Sequence, residues 1–467
     1  MFRIPSSLLI LLTIAPLVAG GSSARAAQPD KPPNIVLIFI DDMGYGDIGP
    51  FGNTKVRTPH LDQMAKEGMK FTHFYATPVC SMSRACLLTG CYNTRVSIPG
   101  VLFPGSSIGL HPNEITLAEV AKQKNYATTC IGKWHLGHRE PFLPTKHGFD
   151  SYYGIPYSND MSIDPKHAQF AKDCVFRNGM TLEKARAESH KNQVPLLRGA
   201  EVVEYPADQA TLTKRYTEEA VKFIREHKDG PFFVYLPHTM VHVPLAASEA
   251  FKGKSNWGLI GDAIEEVDWS VGQILQTLKD LKLDEHTLVI FTSDNGADSG
   301  SSGPLRGKKA SVFEGGVREP CMMRWPGKIP AGTTCNQIAG NIDLLPTFCK
   351  VLGVKPPEDR VIDGRDITSL MLDAKAGPVR NVHLYFDRNS KLAAIRQGDW
   401  KLLLIQPTAK KDEAVGSSLF NLADDPGEKD DVAAKHPDIV VKLRDEATER
   451  QAEIIKNKRP AGSVEKN

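Results

Sequence analysis

The chain lacks an excess of charge of either sign: 57 Lys and Arg stand against 55 Asp and Glu, a formal net charge of +2 over 467 residues. So even a balance offers no basic face for a nucleic-acid backbone. Cysteine is sparse, eight in all at positions 80, 86, 91, 130, 174, 321, 335 and 349, and no two have CxxC spacing. This argues against a small disulfide scaffold and gives no zinc or redox pair. After residue 30 no apolar run approaches the roughly 20 residues that a bilayer-spanning helix needs, so stable membrane insertion is not expected. What is present is ordinary globular usage, 41% hydrophobic and 24% charged. Such usage predicts one or two substantial domains rather than a disordered or collagen-like chain.

Met1-Phe2-Arg3 opens the chain, an apolar run follows from Leu8 to Ala19, and small residues end at Ala24-Arg25-Ala26. A basic start, a short apolar stretch and an A-x-A site predict a secretory signal peptide over residues 1–26. The protein is then exported, to a periplasm, the outside or a lysosome-like compartment. Export permits disulfides, but spacing leaves their pairing open.

Asn34–Ile40 is a continuous apolar run rich in β-branched residues and too short for a helix, which suits a strand buried on both faces; Phe232–Leu236 and Thr287–Thr292 look alike. Between the last two, Ile260, Ile264, Val267, Val271, Ile274, Leu275 and Leu278 fall at helical spacing and form one apolar stripe. Buried strands alternating with such helices predict an α/β fold with a parallel or mostly parallel sheet. Chemistry in such sheets gathers at the carboxyl ends of the strands.

Each predicted strand end carries polar residues: Asp41-Asp42 after Ile40, His238 and His242 after Leu236, and Asp294-Asn295-Gly296 after Thr292. Adjacent carboxylates repel unless a cation lies between them, and Asp and Asn oxygens suit a hard divalent ion such as Ca²⁺ or Mg²⁺. Either cluster alone is most often a turn. Together, in one sheet, they strengthen the metal reading.

The informative stretch is Cys80-Ser81-Met82-Ser83-Arg84-Ala85-Cys86-Leu87-Leu88-Thr89-Gly90. On its own it could be a buried or disulfide-bonded Cys opening a helix. It resembles the C-x-P-S-R-x-x-L-x-T-G signature of the type I, formylglycine-dependent sulfatases. The resemblance extends through Asn34–Gly44, through Gly132-Lys133-Trp134-His135-Leu136-Gly137, and through Phe313-Glu314-Gly315-Gly316-Val317-Arg318-Glu319-Pro320. Within the family, Gly154–Asp160 is most similar to arylsulfatase A and galactosamine-6-sulfatase. Met82 departs from the pattern, standing where the family has Pro or sometimes Ala.

The resemblance implies an alkaline-phosphatase-like fold: a large mixed sheet flanked by helices, with a smaller C-terminal α+β domain. It further implies that a formylglycine-generating enzyme converts Cys80 to formylglycine (3-oxoalanine). The hydrate of that group offers two hydroxyls, one to attack sulfur and one to lose the proton that releases sulfate. One Ca²⁺ ion is implied on Asp41, Asp42, Asp294, Asn295 and the modified Cys80. Arg84, one helical turn from Cys80, is implied to stabilise the hydrate. Lys133 would contact sulfate, and His135 would act as the base at the formylglycine hydroxyl; the two share a face if the chain stays extended. His242 matches the histidine near the leaving group, Lys309 the lysine on the leaving oxygen, and Ser158 a polar contact to sulfate. The alignment through Pro244 and Glu314 sets His238 and Lys308 aside.

Leu392–Arg396 and Trp400–Ile405 read as strands joined by a Gln397-Gly398-Asp399 turn, and Pro437–Lys456 as a charged, solvated amphipathic helix. A boundary at the Pro356-Pro357 turn divides a catalytic domain, 27–360, from a smaller one, 361–467. The implied activity is hydrolysis of a sulfated carbohydrate or aryl sulfate. Two other readings stay open: a phosphoester hydrolase of the same superfamily, and a noncatalytic sulfated-glycan binder with unmodified Cys80.

Overall fold

In the computed structural model the apolar runs form the centre of a large sheet. β1 (Asn34–Ile40) lies between β8 (Phe232–Pro237) and β9 (Thr287–Ser293), parallel to both. Alternate β1 residues enter two different cores. Ile35, Leu37 and Phe39 face one, and Val36, Ile38 and Ile40 face the other. That double burial is why the run reads as unbroken apolar sequence rather than as an alternating pattern.

The structure describes residues 1–2, 32–104, 106–161, 194–404 and 417–465. The expected signal peptide, Cys174 and the end of the expected 400–405 strand lie outside them. Pro32–Asn467 forms one compact unit. Among the described residues no helix is long and apolar enough to cross a membrane.

The other strands of the large sheet are β2 (Met69–Tyr75), β4 (Ala127–Ile131), β5 (Ser151–Gly154), β6 (Leu196–Arg198), β7 (Glu201–Glu204), β10 (Arg318–Arg324), β11 (Thr333–Cys335) and β12 (Ala339–Gly340). Their order is β11-β2-β10-β9-β1-β8-β4-β5-β6-β7, with β12 beside β2, while β3 (Ile108–Gly109) pairs separately with Gly462–Ser463. The parallel block β9-β1-β8-β4-β5 is flanked by antiparallel pairs, β10 on β9 and β6 on β5, so the sheet is mixed. Helices Leu212–Glu226 and Gly258–Asp280 pack on one face and Leu344–Leu352 on the other.

A second, antiparallel sheet of four strands forms a smaller C-terminal β domain: β13 (Val382–Phe386), β14 (Leu392–Gln397), β15 (Trp400–Leu403) and β16 (Ser418–Asn421). The turn between β14 and β15 falls at Gly398, where φ is +59°. The helix Pro437–Lys456 covers this sheet with Val440, Leu443, Ala447 and Ile454, so only one side of it is solvated.

The helix Cys80–Thr89 is buried at every position. Ala85, Leu87 and Leu88 enter a core of the large sheet, while Met82 and Cys86 join Leu384, Ile395, Leu402 and Leu419 of the smaller one. Met82, the departure from the family signature, thus fills the seam between the two sheets. All seven described cysteines are buried and free, so the permitted disulfides do not form among them.

After β4 the chain turns sharply at Gly132, whose φ is +133° and where an added Cβ would lie 1.9 Å from the Pro237 carbonyl oxygen. Only glycine fits this approach. Gly132→Ala should therefore destabilise the fold by about 2 kcal/mol or more, read from urea unfolding; an unchanged midpoint would show that the turn relaxes freely.

Candidate functional site

Phe39 of β1 is level with Pro237 of β8 and Thr292 of β9, so the three strands end together. Their C-terminal continuations deliver Asp41, Asp42, His242, Asp294 and Asn295 to one place. The turn is made by Asp42 itself, at φ +61°, a conformation that Asp tolerates better than most residues. The Asp42 amide donates to Asp294 Oδ1 at 3.1 Å, tying the turn after β1 to the carboxylate after β9.

Cys80 opens the buried helix, and its Sγ lies within 4.8 Å of one carboxylate oxygen each of Asp41 and Asp294. One turn further on, Arg84 is fully buried; its Nη2 is 2.9 Å from Asp294 Oδ2 and 3.4 Å from Asp41 Oδ2. Its Nη1 donates to the Lys133 carbonyl at 2.6 Å. Lys133 forms an ion pair with Asp41 and donates to Ser158 Oγ at 3.1 Å. Ser158 Oγ is 3.3 Å from His242 Nε2, which sits 3.6 Å from Asp42 Oδ2. Lys309 Nζ lies 2.7 Å from Asp42 Oδ1, the oxygen to which Asn295 Nδ2 also donates, at 2.7 Å. Ten of the eleven expected residues therefore form one continuous cluster.

His135 is the exception. The chain does not stay extended past Lys133: His135 has φ +60°, and its Nε2 is bonded to the Leu102 carbonyl at 2.9 Å. It stands beside the cluster with Nδ1 buried and unpartnered. The neighbours left aside at the sequence level diverge from the cluster. His238 bonds Ser270 Oγ at 3.0 Å, and Lys308 reaches the Asp298 and Gly300 carbonyls. Two contributions were missed. The Leu102 carbonyl carries no side-chain signal, and Asn159, beside Ser158, donates to the His242 and Pro244 carbonyls at 3.4 and 3.3 Å, bracing the His242 loop.

Electrostatics follow from burial. Burial alone would raise the Asp41 carboxyl, but Lys133, then His242, Arg84 and Lys309, outweigh it and hold the group ionised. Asp294 goes the other way, pushed up to about 7 by burial and next by the Asp41 charge. Burial raises the Cys80 thiol, which leaves an unmodified Cys80 a poor nucleophile. The His135 ring is held neutral by burial and by Lys133. Against its own burial, Lys309 is kept charged by Asp42.

The donors suit a divalent cation. Asp41 Oδ1 and Asn295 Oδ1 are buried and accept no hydrogen bond, and Asp41 Oδ2 has only its ion pairs. Apart from Cys80 Sγ and His242 the available groups are oxygens, as a hard ion prefers.

The sulfatase family model matches residues 33–354. The chain belongs to the sulfatase family. A second model, N-sulphoglucosamine sulphohydrolase, C-terminal, matches residues 307–453 of this sulfatase. The chain is 39% identical to N-acetylgalactosamine-6-sulfatase of Canis lupus familiaris over 412 residues, covering 82% of this chain and 74% of that one. It is 34% identical to human steryl-sulfatase, covering 91% and 88% respectively. Among solved structures, the PsFucS1 sulfatase from Pseudoalteromonas sp. superposes with a TM-score of 0.80 at 27% identity over 92% of each chain. The fold is thus the alkaline-phosphatase-like fold of the sulfatases, and the protein is an enzyme whose chemistry is sulfate-ester hydrolysis.

The raised Asp294 carboxyl has a measurable consequence. Its protonated form stabilises the ion-free fold fully below its unperturbed value of 3.8, and that contribution is lost as pH rises through about 7. A divalent ion takes the ionised form. The gain in Tm on replacing chelator with Ca²⁺ or Mg²⁺ should therefore be larger near pH 8 than near pH 5.5. An equal or smaller gain at the higher pH would contradict this account.

Proposed function

We propose that this sulfatase is an exported, Ca²⁺-dependent enzyme that removes sulfate from a sulfated carbohydrate or aryl ester, with Cys80 matured to formylglycine. The supporting observation is the seat of Cys80: first residue of a buried helix, against Asp41 and Asp294, with Arg84, Lys133 and Lys309 around it. The name of the N-acetylgalactosamine-6-sulfatase relative favours a carbohydrate substrate. Maturation calls for a formylglycine-generating enzyme acting on a signature with Met82, and export for removal of residues 1–26. We place the boundary between the two domains near residue 360.

When present, the ion and the oxidised side chain supply positive charge for a sulfate oxygen and an oxygen nucleophile for sulfur. The chain's own residues do the rest. Three carboxylates already meet three side-chain cations, so a bound divalent ion leaves the pocket positive, as an anionic ester requires. Lys133 and Ser158, bonded to each other, offer N–H and O–H donors to sulfate. Arg84 fixes the Asp41 and Asp294 carboxylates through Nη2, which lies between them, while its Nη1 is held by the Lys133 carbonyl. The neutral His135 can accept a proton at Nδ1, its unpartnered nitrogen. Lys309, held charged, can neutralise or protonate the departing oxygen, and His242 approaches the same Asp42 carboxylate.

Mass spectrometry of the tryptic peptide containing Cys80, from protein of the native host, should find formylglycine; an unmodified thiol would favour the glycan-binding reading. Cys80→Ala should lower turnover of nitrophenyl sulfate by more than about a thousandfold. Faster turnover of nitrophenyl phosphate than of the sulfate would favour the phosphoester reading instead. Asp294→Ala should remove both the bound ion and most of the rate; a fully active, ion-replete variant would exclude Asp294 from the site.

A further inference from the structure

Glu314 is fully buried, yet it takes no part in the cluster around Cys80. Its Oε2 accepts the Tyr75 hydroxyl at 2.6 Å and its Oε1 accepts Lys401 Nζ at 2.9 Å. Lys401 comes from β15 of the smaller domain and has no exposed surface. The same ammonium donates to the Val312 carbonyl at 2.8 Å and pairs with Glu428 Oε1 at 2.8 Å. Glu428 in turn accepts the backbone N–H of Glu314 at 2.6 Å. A single cation therefore ties down two points, Val312 and Glu314, of the segment that carries Lys309.

The near end of that segment is bonded to the pocket itself. The Lys309 amide donates to the Ala297 carbonyl at 3.1 Å, two residues past Asn295, and the Ala310 amide donates to the Pro78 carbonyl at 2.8 Å, two residues before Cys80. Only two residues separate Lys309 from Val312. The Ser311 amide donates to the Lys308 carbonyl at 3.1 Å, closing a tight turn over Lys309 and Ala310, so a shift at Val312 is passed to Lys309 through that turn.

We propose that Lys401 is a positioning residue for sulfate-ester cleavage: from the smaller domain it fixes the 309–314 segment so that the Lys309 ammonium stays on Asp42 and meets the leaving oxygen. The proposal rests on the reading of Lys309 given above. A purely structural Lys401 would merely compensate two buried carboxylates. Its loss would then lower stability and slow every substrate alike.

The test is kcat across aryl sulfates of graded leaving-group acidity. In Lys401→Met the loss should be at least about tenfold greater for phenyl sulfate than for 4-nitrophenyl sulfate, because the poorer leaving group needs the proton more. Lys309→Ala should show the same pattern, and adding Lys401→Met to it should steepen that pattern no further. Removing one partner of a buried pair leaves charge unpaired, so Lys401→Met/Glu428→Gln, which takes away a carboxylate with the cation, is measured alongside. Equal losses across the series, or no loss, in a folded variant overturns the proposal. Failure of both variants to fold overturns it too, since Lys401 is then structural. Wild-type protein that folds but turns over no sulfate ester would instead overturn the sulfatase reading and this proposal with it.

Discussion

Opposite charges interleaved in a dry pocket set the terms for the rest of the molecule. Asp41, Asp42 and Asp294 converge where water is excluded, and isolated carboxylates there would be driven to take up protons. Arg84, Lys133 and Lys309 oppose that, each coming from a different part of the chain. Arg84 lies on the Cys80 helix, Lys133 follows β4, and Lys309 lies between β9 and β10. The sheet has to bring these separate pieces to one edge before any of the charges is tolerable. The architecture and the electrostatics are therefore one constraint, and it is a severe one because a buried charge that loses its partner costs several kcal/mol.

The Cys80 helix answers the same constraint from below. Being buried on all sides, it holds its first residue and Arg84 without exposing either to water. Its two faces serve two cores, and Met82 and Cys86 are the side chains that reach the second. The smaller domain thus contacts the pocket's foundations twice, through this helix and through the Lys401 pair with Glu314. A pocket composed entirely of residues before position 310 is nevertheless braced by strands after position 380.

Strands β1, β8 and β9 were legible because burial on both faces leaves a continuous apolar signature, and helix Gly258–Asp280 because its stripe has helical period. The carboxylates were legible because strand ends are where such sheets expose polar groups. The β14–β15 hairpin announced itself through Gly398. β10 was visible only as motif: Arg318–Arg324 begins and ends in Arg, and its burial depends on ion pairs made elsewhere, such as Arg324 with Glu67 and Asp284. The turn at His135, though not the residue itself, escaped prediction because a left-handed φ at a non-glycine residue has no reliable sequence mark. The Leu102 carbonyl and the Lys401 clamp escaped for a related reason. Backbone oxygens have no residue type, and a lysine 87 residues from its partner looks like any solvated lysine.

The seven free cysteines carry a consequence for handling the protein. Cys80 lies against Asp41 and Asp294 and Cys91 Sγ is 3.3 Å from Arg459 Nη2, yet no described thiol is joined to another, so disulfides contribute nothing to the cohesion of these residues. Reductants therefore take no restraint from the described part of the scaffold, and its assembly does not wait on the pairing of these seven thiols.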